Sequence, residues 1–234
     1  ISLCIWKFVR EPKKINLLTD SGALQENVNL KDVIKHRNIW LSIIICCFSL
    51  TWYLVFVTFA PVYLVSAKGL SPGEMSLIMS AVGFGGVLWG FAVPMISDRI
   101  GRRPAMIIFA LISALSPLTI LFFDGSLALM ALLIFLFHTG QGVHPLFMST
   151  VPAESIPIKY LAVSVGLIMG IGEVIGGVFA PTLAGMAADN LGMAAPFWIS
   201  IGGALVSAIL CMFIIETAPV KLRMKAANDA QILG

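Results

Sequence analysis

The chain has 234 residues, 59% of them hydrophobic and only 12% charged. Its mean hydropathy is +0.97. A soluble domain carries about 45–50% apolar residues, so an ordinary water-soluble globule is excluded. The net charge of +3 is small, and no phosphate-cradling loop or basic array accompanies it. Nucleotide or nucleic-acid binding is therefore not expected.

Residues 1–9, "ISLCIWKFV", read as the end of an apolar segment, and residue 1 is Ile. No basic leader or small-residue cleavage site is present, so this is not a signal peptide. It is expected to be the end of a preceding transmembrane helix, and the chain part of a longer protein. Residues 10–38 form a polar linker. Within it, "NVNLKDVIKHRNIW" places Leu30, Val33, Ile34 and Arg37 at helical spacing, with Asn27 or Asn29 positioned as a cap. This predicts a short interfacial helix. Asp, Glu, Lys and Arg are then absent from 39–67, 75–97, 104–123, 125–153 and 190–215, while 160–188 holds only Glu173. Each window matches the roughly 20 residues that cross a hydrocarbon core, and backbone groups in lipid must be satisfied within the segment. Six transmembrane helices are expected, near 39–66, 75–96, 104–123, 127–149, 161–187 and 194–215, followed by a tail from 216 to 234. Cys4, Cys46, Cys47 and Cys211 lie in or beside these apolar runs without metal or redox spacing and read as small buried hydrophobes. Gly83, Gly86 and Gly90 favour close helix contact in the second span.

The six-span count places fourteen of the fifteen Lys and Arg residues on one side, with Lys68 on the other. A miscounted span would scatter them. The positive-inside rule makes that side, with both ends of the chain, cytoplasmic.

Asp98, Arg99, Arg102 and Arg103 crowd into "SDRIGRRP" between the second and third spans. Gly101 allows a sharp reversal, Pro104 suits a first helical turn, and Asp98 can accept charge-assisted bonds from Arg102 or Arg103. The pattern Asp-Arg-x-Gly-Arg-Arg after a glycine-rich span resembles the signature loop of the major facilitator superfamily. "PAESIPIKYLAVSVG", with Glu154, Pro157 and Lys159, resembles the companion loop after span ten, and "ETAP" at 216–219 resembles the end of span twelve. The resemblance covers nearly everything from residue 39. It implies an all-α membrane protein whose six helices are the carboxy-terminal half of a twelve-helix fold, partnered by an amino-terminal half. It also implies a cytoplasmic latch made by Asp98, Arg99, Gly101, Arg102, Arg103 and Glu154. Two positions depart from the family pattern. Pro94 stands where glycine is usual, and Leu161 where an arginine is usual, which predicts a thinner ion-pair network around Glu154.

Polar groups inside the bilayer are costly and tend to serve function. The candidates for proton coupling or substrate contact are Glu173, near the middle of the fifth span, and His138, Gln141 and His144 on one arc of the fourth. The resemblance makes the first, second, fourth and fifth spans the cavity-lining ones and leaves the third and sixth outside. Trp52, Tyr53 and Tyr63 of the first span offer further aromatic and hydroxyl groups, as substrate contacts or as packing. Glu173 sits between Gly172 and Gly176, whose spacing lets helices pack closely, so helix association is its competing role.

These features point to a secondary transporter, not an enzyme, with no cofactor and no metal. Its ligands would be a small solute and a proton. "GEVIGGVFAPTLAGMAAD" and "ETAP" look most like organic-anion:proton symporters of the superfamily. No Lys or Arg lies inside a span, so a cation for a carboxylate substrate would come from the other half. A sugar porter or a drug:proton antiporter is the alternative, and a non-transporting receptor or scaffold the third reading.

Overall fold

The computed structural model describes residues 33–222. Among these residues all regular structure is helical, in the order α1 (Arg37–Ser66), α2 (Pro72–Ile100), α3 (Arg102–Phe122), α4 (Leu127–Ser155), α5 (Ile158–Leu191) and α6 (Ala195–Cys211). The first five are long and apolar enough to cross a membrane. At 17 residues, α6 is shorter: about 25 Å at 1.5 Å per residue, the lower limit for a span. The expected helix end at 1–9, the start of the expected interfacial helix (through residue 32) and the end of the tail lie outside the described residues. Of that interfacial segment, residues 33–40 are described, and Arg37 already opens α1. Val33 is fully buried beside Ile39 and Ile156, fixing the chain as it enters α1.

Local chemistry sets the helix ends. Ser71 and Glu74 form a reciprocal capping box ahead of α2, with Pro72 at its first position. One residue, Gly101, separates α2 from α3. Its φ of +110° lies in a region that L side chains rarely adopt. α1 packs along α6 and against α5 and α4, while α2 packs on α4 and α3. Two apolar clusters result. One, around Ile45, Met106 and Phe147, lies toward the charged end. The other, around Phe56, Ile78 and Ile134, lies toward the opposite end.

Three helices are interrupted, two of them, α4 and α5, where function is expected. α4 breaks at His138, whose ψ is 35°, and the Phe135 carbonyl accepts the indole N–H of Trp89 from α2 at 2.8 Å. That bond satisfies a backbone acceptor beside the break. α4 then widens to a π-helical turn over Leu146–Thr150, and α5 does so over Glu173–Phe179. Pro152 and Pro181 follow these turns within two residues. Each removes the donor to the carbonyl four residues earlier and crowds it, which relaxes the helix upstream. α3 has a milder break at Ala114.

Burial is uneven. About half of the most apolar window is buried in α1, α3 and α4, but only 22% in α2 and α5. Phe84 and Phe91 of α2 and Val178 and Leu183 of α5 are more than half exposed. The close contact expected of Gly83 and Gly90 is not made, since a Cβ at either would meet open space among the described residues. Gly85 makes it instead, 3.1 Å from the Phe135 carbonyl by its would-be Cβ.

Candidate functional site

At the charged end, the four-residue spacing of Asp98 and Arg102 across the Gly101 turn sets the first contact. The Arg102 guanidinium donates from one terminal nitrogen to Asp98 Oδ1 at 2.5 Å and to Ser97 Oγ at 2.7 Å. Its other terminal nitrogen reaches Glu154 Oε1 at 2.8 Å, and Nε reaches Glu154 Oε2 at 3.2 Å. The fork thus grips Glu154 with two nitrogens and Asp98 with a third, joining α2, α3 and α4. The Arg102 side chain is 7% exposed, Glu154 20% and Asp98 62%. The network is therefore not thin at Arg102 despite Leu161.

Sequence reasoning missed three members of this cluster. Thr217 donates to Glu154 Oε2 at 2.6 Å, completing the coordination of that carboxylate. Glu216 caps α3 by accepting from the backbone N–H groups of Arg102 and Arg103 at 2.8 and 3.1 Å. It also accepts from Thr217 and Ala218. A carboxylate there satisfies orphan donors and faces the positive end of the helix dipole. A side chain at Gly101 would collide with it, its Cβ 2.6 Å from Glu216 Oε2. Asn38 exchanges hydrogen bonds with the Ile215 backbone and donates to Ser155 Oγ, tying the start of α1 to the end of α4 and the segment after α6. "ETAP" was legible as a resemblance, but its contacts reach back 63 residues to Glu154 and more than 110 to the start of α3. Arg99 and Arg103 are exposed, and neither side chain is bonded to Asp98 or Glu154.

The interior candidates are dispersed. His138 is fully buried, and neither ring nitrogen has a hydrogen-bond partner. It packs 4.9 Å from the Trp52 ring and 5.4 Å from Phe56, centroid to centroid. His144 bonds Ser49 Oγ at 3.0 Å and lies edge-on to Tyr53 and Phe147. Gln141 is half-buried and approaches Gly86 of α2. Trp52 is 1% exposed. Its N–H is spent on the Ser113 carbonyl, and Ser200 donates to its backbone oxygen. It is a core residue in this arrangement and offers a solute no surface. Its ring occupies the space a side chain at Gly140 would need. Tyr53 and Tyr63 are half-buried, Tyr63 edge-on to Phe197 at 4.9 Å.

Glu173 opens the π-helical turn of α5 and is exposed. No hydrogen bond or ion pair joins it to another described residue, His138 included. Its glycine neighbours do pack: a side chain at Gly172 would run into Cys46, and one at Gly176 into the Cys47 carbonyl and Leu50. Helix association is thus carried by the glycines, while the carboxylate lies outside that contact. Among the described residues no group of His, Cys, Asp or Glu is arranged to hold a metal ion.

Chemically, the charged cluster is a saturated clamp that relative movement of α2, α3 and α4 would have to open. The interior instead presents a carboxylate, an amide and imidazoles on two irregular helices. The chain is 28% identical over 207 residues to the alpha-ketoglutarate permease of Escherichia coli strain K12, covering 83% of this chain and 46% of that protein. It spans about half the length of that curated relative. The family model described as Major Facilitator Superfamily matches residues 1–174 and 41–231. With that match and its long apolar helices, the chain belongs to the major facilitator superfamily of transporters and is a multi-pass integral membrane protein.

Proposed function

We propose that this chain is the carboxy-terminal half of a secondary active transporter that carries a small organic anion together with a proton by alternating access. The name of the permease it resembles supports a carboxylate substrate. The geometric observation that carries the transport reading is Arg102, nearly buried and shared between the carboxylates of α2 and α4. In this reading the Asp98–Arg102–Glu154 cluster, with Arg99 and Arg103 beside it, is a cytoplasmic latch that holds one access state. The exposed faces of α2 and α5 meet the amino-terminal half and lipid, so Glu173 and Gln141 face the cavity between the halves. Glu173 is the proton carrier, because a lone carboxylate on an irregular helix can exchange its proton wherever water reaches it. His138 and His144 are polar groups of α4 that change partners when the access state changes. The charged end is cytoplasmic, and the membrane is the plasma (inner) membrane.

The test is counterflow of labelled 2-oxoglutarate in vesicles carrying the full-length protein, with a sugar and a cationic drug as comparison solutes. Saturable exchange of the dicarboxylate alone is expected. Exchange of the sugar or the drug instead would replace the substrate class. No exchange of any solute, in protein that is folded and inserted, would favour a receptor or scaffold.

A further inference from the structure

Beside the Arg102 cluster, at the same end of the bundle, lies a second feature that the transport reading does not use. A cavity of about 780 Å³ is lined by Arg37, Arg103 and Lys221, by the segment 212–216, and by Leu222. The three cations come from separate elements: the first turn of α1, the first turn of α3, and the chain after α6. Among the described residues none of the three side chains makes an ion pair. The one carboxylate on the wall, Glu216, already accepts from four backbone N–H groups. Among the described residues the cavity wall carries an excess of positive charge, three cations against one carboxylate. Its other wall is apolar, since Met212, Phe213 and Ile215 are 49%, 51% and 54% exposed. They continue from the end of α6, at the charged end of the bundle.

We propose that this cavity binds an anionic phospholipid, its phosphate diester held by Arg37, Arg103 and Lys221 and its acyl chains lying along Met212, Phe213 and Ile215. Basic pockets at the ends of membrane helices recognise such headgroups by charge. A free phosphate would use the same cations but leave the apolar wall facing water, so the combination of walls selects a lipid. This inference rests on the chain being a membrane protein and is independent of what the protein transports.

The experiment is native mass spectrometry of the full-length protein released from detergent, titrated with phosphatidylglycerol and separately with phosphatidylcholine of the same acyl chains. Phosphatidylglycerol should bind in preference. Arg37→Gln and Lys221→Gln should each weaken that binding about fivefold, near the worth of one surface cation. The double variant should weaken it about twenty-fivefold if the two act independently. Glycerol 3-phosphate should not displace the lipid. Equal binding of the two lipids would overturn the proposal, and is the result expected if acidic residues of the chain's own termini fill the cavity. Displacement by glycerol 3-phosphate would also overturn it, as would an unchanged preference in the double variant. Should that variant not yield monodisperse protein, the unmodified protein decides: raising ionic strength from about 0.05 to about 0.5 M must erode the preference. A salt-independent preference would refute the cation-based site.

Discussion

At the charged end, Arg102 spends its donors on Asp98, Ser97 and Glu154, Glu154 is completed by Thr217, and Glu216 by four backbone N–H groups. In the middle of the bundle, His138 has two unbonded nitrogens and Glu173 has no partner among the described residues. A saturated cluster defines one arrangement of helices, because any displacement leaves a buried charge exposed to its own desolvation cost. Unsaturated groups define nothing by themselves and are available to water, a proton or a solute. On the proposed function, the contrast separates the part of the molecule that holds a state from the part that responds to a ligand.

The sharpest way to break this contrast is Arg102→Met, which leaves Glu154 partly buried without its cation. Removing one partner of such a pair costs about 3–5 kcal/mol. The full-length protein should therefore melt well below the unaltered one in a detergent thermal-shift assay, and uptake should be abolished. A melting temperature within a degree or two of the unaltered protein would mean that Arg102 does not hold the end of the bundle together.

Next in size is Glu173→Gln, which keeps the shape but cannot titrate. With Glu173 as proton carrier, accumulation against a gradient should fall to parity while counterflow of the same solute persists. Stability should barely move, because Gly172 and Gly176 carry the contact with α1. Accumulation equal to the unaltered protein would return Glu173 to a purely structural role.

A smaller effect is expected of Asp98→Ala, since that carboxylate is 62% exposed and Arg102 keeps Glu154. An exposed pair contributes about 1 kcal/mol or less, about fivefold in the balance between two access states. Initial rates should drop by roughly that factor with the half-saturating solute concentration unchanged. A loss as complete as that of Arg102→Met would show that Asp98 is as deeply committed as Glu154.

The two regions also differ in how far they could be read from sequence. Spans were legible because a charge-free window of bilayer length rarely arises outside a membrane helix. The Asp98–Arg102 contact was legible because four residues bring both groups to one face of a turn. The choice of Arg102 over Arg103 was not, because it depends on Glu154 arriving from α4. Glu216 and Thr217 were invisible as ligands for the same reason: Glu216 caps a helix start over 110 residues earlier, and Thr217 bonds Glu154, 63 residues earlier. In the interior, the π-helical turns are written only faintly, in Pro152 and Pro181. The break at His138 depends on Trp89 of another helix bonding the Phe135 carbonyl, which no pattern within α4 announces. Sequence depth set Glu173 near the middle of its span, and depth does not say which way a side chain turns.

His138 offers the finest test of the contrast, because the two roles give opposite signs for one residue. A buried polar atom without a partner costs about 1–3 kcal/mol, and the ring here is walled by Trp52, Tyr53 and Phe56. Leucine has nearly the volume of histidine and no orphan nitrogen. If the imidazole is unsatisfied in this state and finds a partner in another, His138→Leu should stabilise this state by about 1 kcal/mol. The melting temperature should rise by a few degrees, and turnover should fall about fivefold, because leaving the state becomes that much harder. Stability gained at the expense of activity is the usual signature of a strained functional group. If the imidazole already has a satisfying partner in this state, the same change must lower the melting temperature. Thermal shift and counterflow measured on one preparation give both signs at once, and a fall in both would place His138 with the saturated groups of the charged end.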